Sequence, residues 1–271
     1  MKRFLLSLAL LLNCPIALAD SGPLGFGTSE FSQEMETDRP DFTEGAQTVQ
    51  AGHLQIESGY TFVYDDEDGV EVDDHTLPEL LFRAGISDNL ELRLAWEGWS
   101  STKVKADGFS ERSEGLTDTS IGFKHSLIEQ NESLPALSYI LELGLPTGAE
   151  RKTADEVEPA LVIIWAKDLN DSYSLGGNIN FAWPIDSEDD RYFEAASSLA
   201  LGMDLGNSFG TYLEYFGFYP NDSADEESTH YASSGITYSC SKNSQLDFRV
   251  GVGINDDAAD FFTGVGYSIR I

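Results

Sequence analysis

The chain has 271 residues, with 47 Asp and Glu against 16 Lys and Arg, and a formal net charge of −31 at pH 7. So acidic a protein is a poor partner for nucleic acid, because neutralising phosphates requires Lys and Arg. Its two cysteines, Cys14 and Cys240, are too few for a cysteine-based metal site. No metal or cofactor is therefore expected.

Residues 1–19 combine the basic Lys2 and Arg3 with an apolar run and the small-residue site Ala17-Leu18-Ala19. This pattern predicts a secretory signal peptide that is cleaved after Ala19. The exported chain would then keep only Cys240, so no internal disulfide is expected. No later apolar stretch approaches the roughly 20 residues that a membrane helix needs, so membrane crossing would require strands.

Alternating apolar and polar residues begin at residue 52, and successive side chains of a strand point to opposite faces. In the stretch GHLQIESGYTFVY (52–64), Leu54, Ile56 and Tyr60 share one face, and Gln55 and Glu57 the other. The same pattern predicts twelve strands, at 52–64, 78–86, 90–99, 116–127, 135–146, 160–168, 173–183, 191–205, 209–219, 229–239, 245–253 and 261–271. The sixth is the weakest, because residues 160–165 are apolar on both faces.

The connections between these strands alternate in length. Short ones lie at 87–89, 128–133, 169–172, 206–208 and 240–244, and mostly longer, acidic ones at 65–75, 100–115, 147–158, 184–190, 220–228 and 254–260. An even number of strands with this alternation is the plan of an outer-membrane barrel. The sequence therefore predicts an all-β fold, a transmembrane antiparallel β-barrel of about twelve strands over 52–271, embedded in the lipids of the cell outer membrane. Short turns and residues 20–51 would lie in the periplasm, and the acidic loops outside.

Aromatic residues fall largely on the apolar faces, many near strand ends, where rings suit the two membrane interfaces. They are Tyr60, Phe62, Tyr64, Trp96, Trp165, Tyr173, Phe181, Trp183, Tyr215 and Tyr267. A soluble β-sandwich with an aromatic core is the alternative. The long run of hairpins with loops on one side favours the barrel.

One stretch is not explained by periodicity: METDRPDFTEGAQTVQAGHLQIESGYTF (35–62). Together with LPTG (145–148), EYFGFYP (214–220) and QLDFRVGVGINDDAADFFTGVGYSIR (245–270), it resembles the outer-membrane transporter family named after the meta-cleavage pathway of phenol degradation. The resemblance implies an outer-membrane barrel for the uptake of aromatic or other hydrophobic compounds. The chain departs from many bacterial barrels by ending on Ile271 rather than on an aromatic residue.

Charged residues on the polar faces would line the barrel lumen, where they could set ion selectivity or form structural ion pairs. The acidic ones are Glu57, Glu79, Glu91, Glu97, Asp118, Glu142, Glu194, Glu214 and Asp247, and the basic ones Arg83, Arg93, Lys124, Arg249 and Arg270. Twelve strands lie between the filled eight-stranded barrels and the open porins, so both uses are compatible with the sequence.

The segment TDRPDFTEG (37–45) is a second candidate site. Its residues Asp38, Arg39, Pro40, Asp41 and Glu44 are too densely charged for a lipid-facing strand, and Pro40 fixes the backbone. We expect a plug or lid at the periplasmic mouth, with Arg39 meeting lumenal carboxylates such as Glu57. A structural lid or an assembly element is the alternative.

These observations predict passive transport of a small solute, with aromatic or hydrophobic compounds as candidates. A non-conducting barrel that acts through its acidic loops as an adhesin or envelope stabiliser is the alternative. An aromatic or basic ladder along the lumen would favour transport, whereas a lumen filled by ion pairs would favour the alternative. An enzyme is not expected, because the one candidate, His125 beside Ser126, lacks a G-x-S-x-G element.

Overall fold

The computed structural model describes residue 31 and the ranges 34–221, 223–224 and 227–271. The predicted signal peptide and the first residues of the predicted periplasmic segment lie outside these ranges. The strands are β1 (Leu54–Glu67), β2 (Val70–Ser87), β3 (Leu90–Trp96), β4 (Trp99–Ala106), β5 (Phe109–Leu116), β6 (Thr119–Ile128), β7 (Ala136–Leu145), β8 (Glu158–Asn170), β9 (Tyr173–Ala182), β10 (Phe193–Gly206), β11 (Phe209–Asn221), β12 (Thr229–Ser241), β13 (Ser244–Gly253) and β14 (Phe261–Arg270). No helix within the described ranges is both long and apolar enough to cross a bilayer.

Twelve of these strands form a closed antiparallel barrel. Each pairs with its neighbour in the chain, except that β3 pairs directly with β6. Strand β1 closes the ring by pairing with both β2 and β14, in a register that runs from Gln55 opposite Arg270 to Tyr64 opposite Phe261. Closure leaves no strand edge unpaired in the barrel wall, as a lipid environment requires. The predicted twelve-stranded barrel is confirmed, including its sixth strand, which is β8.

The remaining two strands correct the prediction of loops at 65–75 and 100–115. Strands β1 and β2 continue to a two-residue turn at Asp68 and Gly69, both with positive φ, which is the geometry of a tight hairpin. The hairpin β4–β5 then pairs with the same extension of β2. Lys105 bonds the carboxylates of Glu71 and Asp73 there. Opposite charges on neighbouring strands thus offset the acidic repulsion that made this stretch look like a loop.

The two faces of the wall differ in the way that a barrel in lipid requires. Large apolar side chains are exposed on the outer face, with Leu92 at 51%, Leu213 at 59% and Val265 at 50%. The inner face carries buried polar and charged residues instead, among them Glu57 and Lys124. Since lipid chains solvate apolar but not charged groups, the outer face is suited to the bilayer.

Candidate functional site

The lumen is occupied by residues 34–51, here called the lumen segment, which precede β1 and fold back inside the barrel. Its Ala46 is 3% exposed and packs in an apolar cluster with Ile140 of β7 and Ile164 of β8. The hydroxyl of Ser138, one inward position before Ile140, donates a hydrogen bond to the carbonyl of Ala46. This part of the segment is therefore buried against the inner face of the barrel wall.

Asp38 is the centre of a buried ionic cluster near the periplasmic end of the lumen. Its carboxylate oxygens lie 2.5 Å from Arg93 Nη1, 2.9 Å from Lys124 Nζ and 3.2 Å from Arg83 Nη1. The three cations belong to β3, β6 and β2 and, like Asp38, have side chains at most 3% exposed. We call these four residues the Asp38 cluster.

Wall carboxylates complete the charge balance of this cluster. Glu91 Oε1 lies 2.9 Å from Arg83 Nε and 3.1 Å from Arg93 Nη1, and Glu57 Oε1 lies 3.1 Å from Arg83 Nη1. Glu44 of the lumen segment lies 3.2 Å from Arg93 Nη2 and 3.8 Å from Lys124 Nζ. Burying an unpaired charge is costly, so this mutual pairing is what allows so many charges to lie inside the barrel.

Carboxylates of the wall also accept hydrogen bonds from the backbone of the lumen segment. Glu57 accepts from the N–H of Asp38 at 3.0 Å, Glu91 from that of Val49 at 2.7 Å, and Glu214 from that of Thr43 at 2.7 Å. A segment without regular secondary structure must find partners for its backbone groups when buried. These inward carboxylates provide them, so they position the segment as well as balancing charge.

Arg39 contacts two of the predicted lumenal carboxylates, Glu79 and Asp247, but not Glu57, which the sequence suggested as an example of such a partner. Its Nη1 lies 2.6 Å from Glu79 Oε2, and its Nη2 lies 3.5 Å from Asp247 Oδ1. Space for this side chain comes from Gly59 of β1 and Gly266 of β14, where a Cβ atom would approach the guanidinium group to 2.3 and 2.4 Å. Glu57 is already engaged by the Asp38 cluster, which explains the difference.

Next to Arg39, Arg249 links the other wall of the lumen to the same segment. Its Nη1 donates to the carbonyl of Pro40 at 3.1 Å, and its Nη2 donates to the hydroxyl of Thr61 at 2.5 Å. Asp41, the next residue, is half-buried and follows directly at the tip of the segment. The five residues predicted for a plug or lid, Asp38, Arg39, Pro40, Asp41 and Glu44, therefore all lie inside the barrel.

A cluster of aromatic rings surrounds the tip of the lumen segment, and sequence reasoning missed it. Phe42 stacks on Phe216 of β11 with ring centroids 4.8 Å apart at 16°, and meets Phe218 edge-on at 5.2 Å. Tyr231 of β12 stacks on Phe216 at 5.0 Å, and Phe262 of β14 lies 6.0 Å away. We call the four rings from the barrel strands the ring wall.

The predicted lumenal acids nearer the extracellular end have separate surroundings. Asp118 accepts the N–H groups of Thr147, Gly148 and Ala154, so it holds the loop after β7. Glu142 of β7 is half-buried, two residues beyond the buried Ile140.

Glu97 follows β3 directly and is exposed at the extracellular end of the lumen, the part bordered by Glu97 and Glu142 that we call the vestibule. The surrounding barrel walls raise the pKa of the Glu97 carboxyl, and the carboxylates of Glu79 and Asp74 raise it further. Glu194 lies on β10 opposite Pro220, half-buried. The extracellular half of the lumen is therefore bordered by carboxylates on one side and by the ring wall on the other.

Near the periplasmic mouth the described residues leave part of the lumen unfilled. A cavity of about 920 Å³ lies between Glu34 and Met35 of the lumen segment and the periplasmic ends of the strands from β8 to β14. Its lining is mixed and includes Met203, Ser244 and Arg270. Arg270 is 4% exposed and donates to the carbonyl of Glu34 at 3.3 Å. The lumen segment thus lies between this cavity and the ring wall.

His125, the one candidate for a catalytic base, has partners other than Ser126. Its Nδ1 lies 3.3 Å from the hydroxyl of Tyr139, and its Nε2 lies 3.2 Å from the side-chain amide of Asn89. Ser126 is its neighbour in β6, and successive side chains of a strand point to opposite faces. The arrangement is that of an aromatic and amide contact at a strand end.

Comparisons with known proteins agree with this architecture. The family model described as "Putative MetA-pathway of phenol degradation" matches residues 37–271. No curated protein matches the chain significantly. Among solved structures, the COG4313 outer membrane channel from Pseudomonas putida F1 has a TM-score of 0.66 at 14% identity, with 87% of this chain and 100% of that chain covered.

Two further solved structures share the barrel. The translocator domain of the autotransporter NalP from Neisseria meningitidis has a TM-score of 0.56 at 11% identity, covering 81% of this chain and 88% of that one. The NanC porin has a TM-score of 0.51 at 8% identity, covering 80% of this chain and 100% of that one. The predicted outer-membrane type of barrel is confirmed at the level of the fold.

Proposed function

Because the chain belongs to this phenol-degradation family, we propose that it is a passive outer-membrane channel for small aromatic or hydrophobic solutes, closed by its own lumen segment. One observation carries the proposal: the lumen segment crosses the barrel between the ring wall and the open periplasmic cavity. A solute entering from outside would meet aromatic surface first, then the segment, then a cavity that leads to the periplasm.

From the sequence, an aromatic or basic ladder is the criterion for transport, and a lumen filled by ion pairs is the criterion for a structural barrel. The lumen has features of both. Ion pairs occupy the part of the lumen around Asp38, beside β2, β3 and β6, as a structural or adhesive barrel would require. Aromatic rings line the extracellular side, as a route for apolar solutes would require. We favour transport because a lumen packed for stability alone needs neither half-buried rings at Phe218, Tyr231 and Phe262 nor a cavity behind the segment. The solved Pseudomonas putida neighbour is an outer membrane channel, and this supports the same choice by analogy of fold.

Transport through this barrel would be passive and would involve no chemistry on the solute. The solute would run down its concentration gradient, because a route formed by the barrel wall, the lumen segment and the vestibule needs no energy-coupling partner. The carboxylates Glu97 and Glu142 of the vestibule would favour cations over anions among charged solutes. Apolar solutes would instead be retained by the rings of Phe216 and Phe218.

A reversible lock on the lumen segment tests the proposal. The hydroxyls of Thr43 and Ser198 are 2.7 Å apart, which brings two cysteines at these positions close to disulfide distance. The double variant Thr43→Cys/Ser198→Cys is made with Cys240→Ser, since Cys240 is the free cysteine of the described chain. Uptake of a radiolabelled aromatic cation that lipid excludes, benzyltrimethylammonium, into liposomes containing the oxidised protein is then measured, before and after reduction.

We expect uptake to be low in the oxidised double variant and to return to the level of the Thr43→Cys single variant on reduction. The single variant is the matched control, because it carries the same substitution next to Phe42 without the cross-link. Equal uptake in the oxidised and reduced double variant would overturn the proposal, since the segment could not then be the closing element. Uptake no faster than in protein-free liposomes in every state would favour the structural barrel.

A further inference from the structure

Phe42 is the one aromatic residue that the lumen segment places among the rings of the barrel wall. It is half-buried, and it stacks on Phe216 while meeting Phe218 edge-on, in the two geometries that aromatic pairs prefer. Phe216 itself is 7% exposed, and Tyr231 stacks against it at 5.0 Å. The aromatic cluster therefore consists of the four rings of the ring wall and one ring, Phe42, from the lumen segment.

The ring wall also has features of a site for a flat apolar molecule. Phe216 and Phe218 are nearly perpendicular, at 88°, so a ring can stack on one while it meets the edge of the other. Phe262 lies 6.0 Å from both Phe216 and Tyr231, and the guanidinium of Arg249 lies 5.6 Å from its centroid. A cation over that ring fixes the edge of the site without filling it.

The polar contacts of Phe42 are made by its backbone alone. Its N–H donates to Glu214 at 3.1 Å, and its carbonyl accepts from Asn178 at 3.3 Å. Within the described residues the contacts of the side chain are thus with aromatic rings, whereas the rest of the segment is held by charges, backbone hydrogen bonds and the buried packing of Ala46. A solute with a ring can replace the first kind of contact but has no means to replace the second.

We propose that Phe42 is an internal surrogate ligand: it occupies an aromatic-binding site formed by Phe216, Phe218, Tyr231 and Phe262, and a monocyclic aromatic solute binds there by displacing it. This inference rests on the proposed function and deepens it, since it assigns the site and the class of molecule that takes it. Binding of the solute and release of the segment's tip are then the same event.

Accessibility of residue 43 reports on this exchange directly. Thr43 follows Phe42 and is 8% exposed, so a cysteine there is shielded while the tip is docked. The full exported chain carrying Thr43→Cys and Cys240→Ser is reacted with a maleimide in detergent, with toluene or with methylcyclohexane. The second compound has the same carbon skeleton without the aromatic ring, so it controls for effects on the detergent.

We expect toluene to accelerate labelling about tenfold and methylcyclohexane to leave it nearly unchanged, because only toluene can take the place of a stacked ring. Phe42→Leu should label rapidly without toluene and gain little from its addition, and Phe216→Leu should lose the toluene response. Phe209→Leu is the matched control: Phe209 lies on the same strand, is 44% exposed and pairs with Tyr238 outside the site. Circular dichroism checks that each variant keeps its β-structure.

Equal acceleration by both compounds, or an unchanged toluene response in Phe42→Leu, would overturn the inference. The experiment measures no flux, so it is independent of the lock at Thr43 and Ser198. If the lock blocks uptake but toluene does not change labelling, the inference fails and the proposed function stands. If toluene accelerates labelling but the locked protein still transports, the site is supported and the proposed closure fails.

Discussion

Replacing Asp38 by Asn should release the lumen segment without unfolding the barrel. The substitution removes the one carboxylate that contacts Arg83, Arg93 and Lys124 together. Both arginines keep Glu91 at 2.9 and 3.1 Å, whereas the nearest carboxylate left to Lys124 is Glu44 at 3.8 Å. Removing one partner of a buried ion pair costs about 3–5 kcal/mol, and these remaining contacts place the cost near the lower end, about 3 kcal/mol.

A cost of about 3 kcal/mol raises the ratio of released to docked segment roughly a hundredfold. The measurement is the open fraction of single channels in planar bilayers, which should rise strongly in Asp38→Asn. Asp171→Asn, at an exposed periplasmic turn, is the control and should resemble the parent protein. Adding Lys124→Met to Asp38→Asn removes the unpaired ammonium group and should restore part of the closed state.

Two results would refute this reasoning. One is an open fraction in Asp38→Asn equal to that of the parent, because Asp38 would then contribute nothing to docking. The other is a large fall in the melting temperature of the barrel, because the wall strands pair through their own backbone and should not depend on Asp38. Partial rescue by Lys124→Met separates a charge effect from a packing effect.

Two further substitutions test how closely the lumen segment packs on the barrel wall and how the vestibule carboxylates set ion selectivity. Gly85→Ala places a Cβ atom 2.2 Å from the carbonyl oxygen of Gln50, so it should displace the segment and raise the open fraction, whereas Gly176→Ala, whose nearest neighbour would be 3.4 Å away, should not. Glu97→Gln should lower the cation-to-anion permeability ratio from reversal potentials, with Glu129→Gln at an exposed turn as control. Since the pKa of Glu97 is raised, the parent should lose cation preference as pH falls through that value, and Glu97→Gln should lack this step. A ratio in Glu97→Gln that follows the parent at every pH would contradict the assignment.

The barrel could be predicted because most of its strands follow the same two-residue alternation of apolar and polar side chains. A residue's parity within a strand decides whether it faces lipid or lumen, so Glu57, Arg83 and Glu91 were placed inward from the sequence alone, as the structure has them. The partners of the lumen segment could not be predicted, because this segment has no strand register that would place its residues against particular wall strands. Arg39 shows this: its position depends on the absence of side chains at Gly59 and Gly266, on two strands far apart in the chain.

The ring wall and the extra hairpin were missed for local reasons. In the stretch EYFGFY, aromatic residues occupy both faces of β11, so hydrophobicity does not show that Phe216 and Phe218 face inward. Their inward orientation is explained by the contacts that they make with Phe42. The extension of β2 and the hairpin β4–β5 were hidden because acidic residues such as Glu71 and Asp73 of β2 are unfavourable in strands, and the Lys105 that offsets them lies on another strand, β4.

The contacts that hold the lumen segment at Asp38 and at Phe42 differ chemically, and we infer from this difference the order in which the two parts leave. Charged groups hold its periplasmic part at Asp38, and an apolar solute cannot compete for those contacts. A ring holds its tip at Phe42, and an aromatic solute arriving from outside meets that ring first. Under the proposed mechanism, opening should therefore begin at the extracellular end, with the Asp38 cluster retaining the segment in the barrel while the tip exchanges with the solute. If the order were reversed, Asp38→Asn alone would abolish the toluene dependence of labelling at residue 43, whereas release from the tip predicts that this variant keeps the dependence at a higher basal rate.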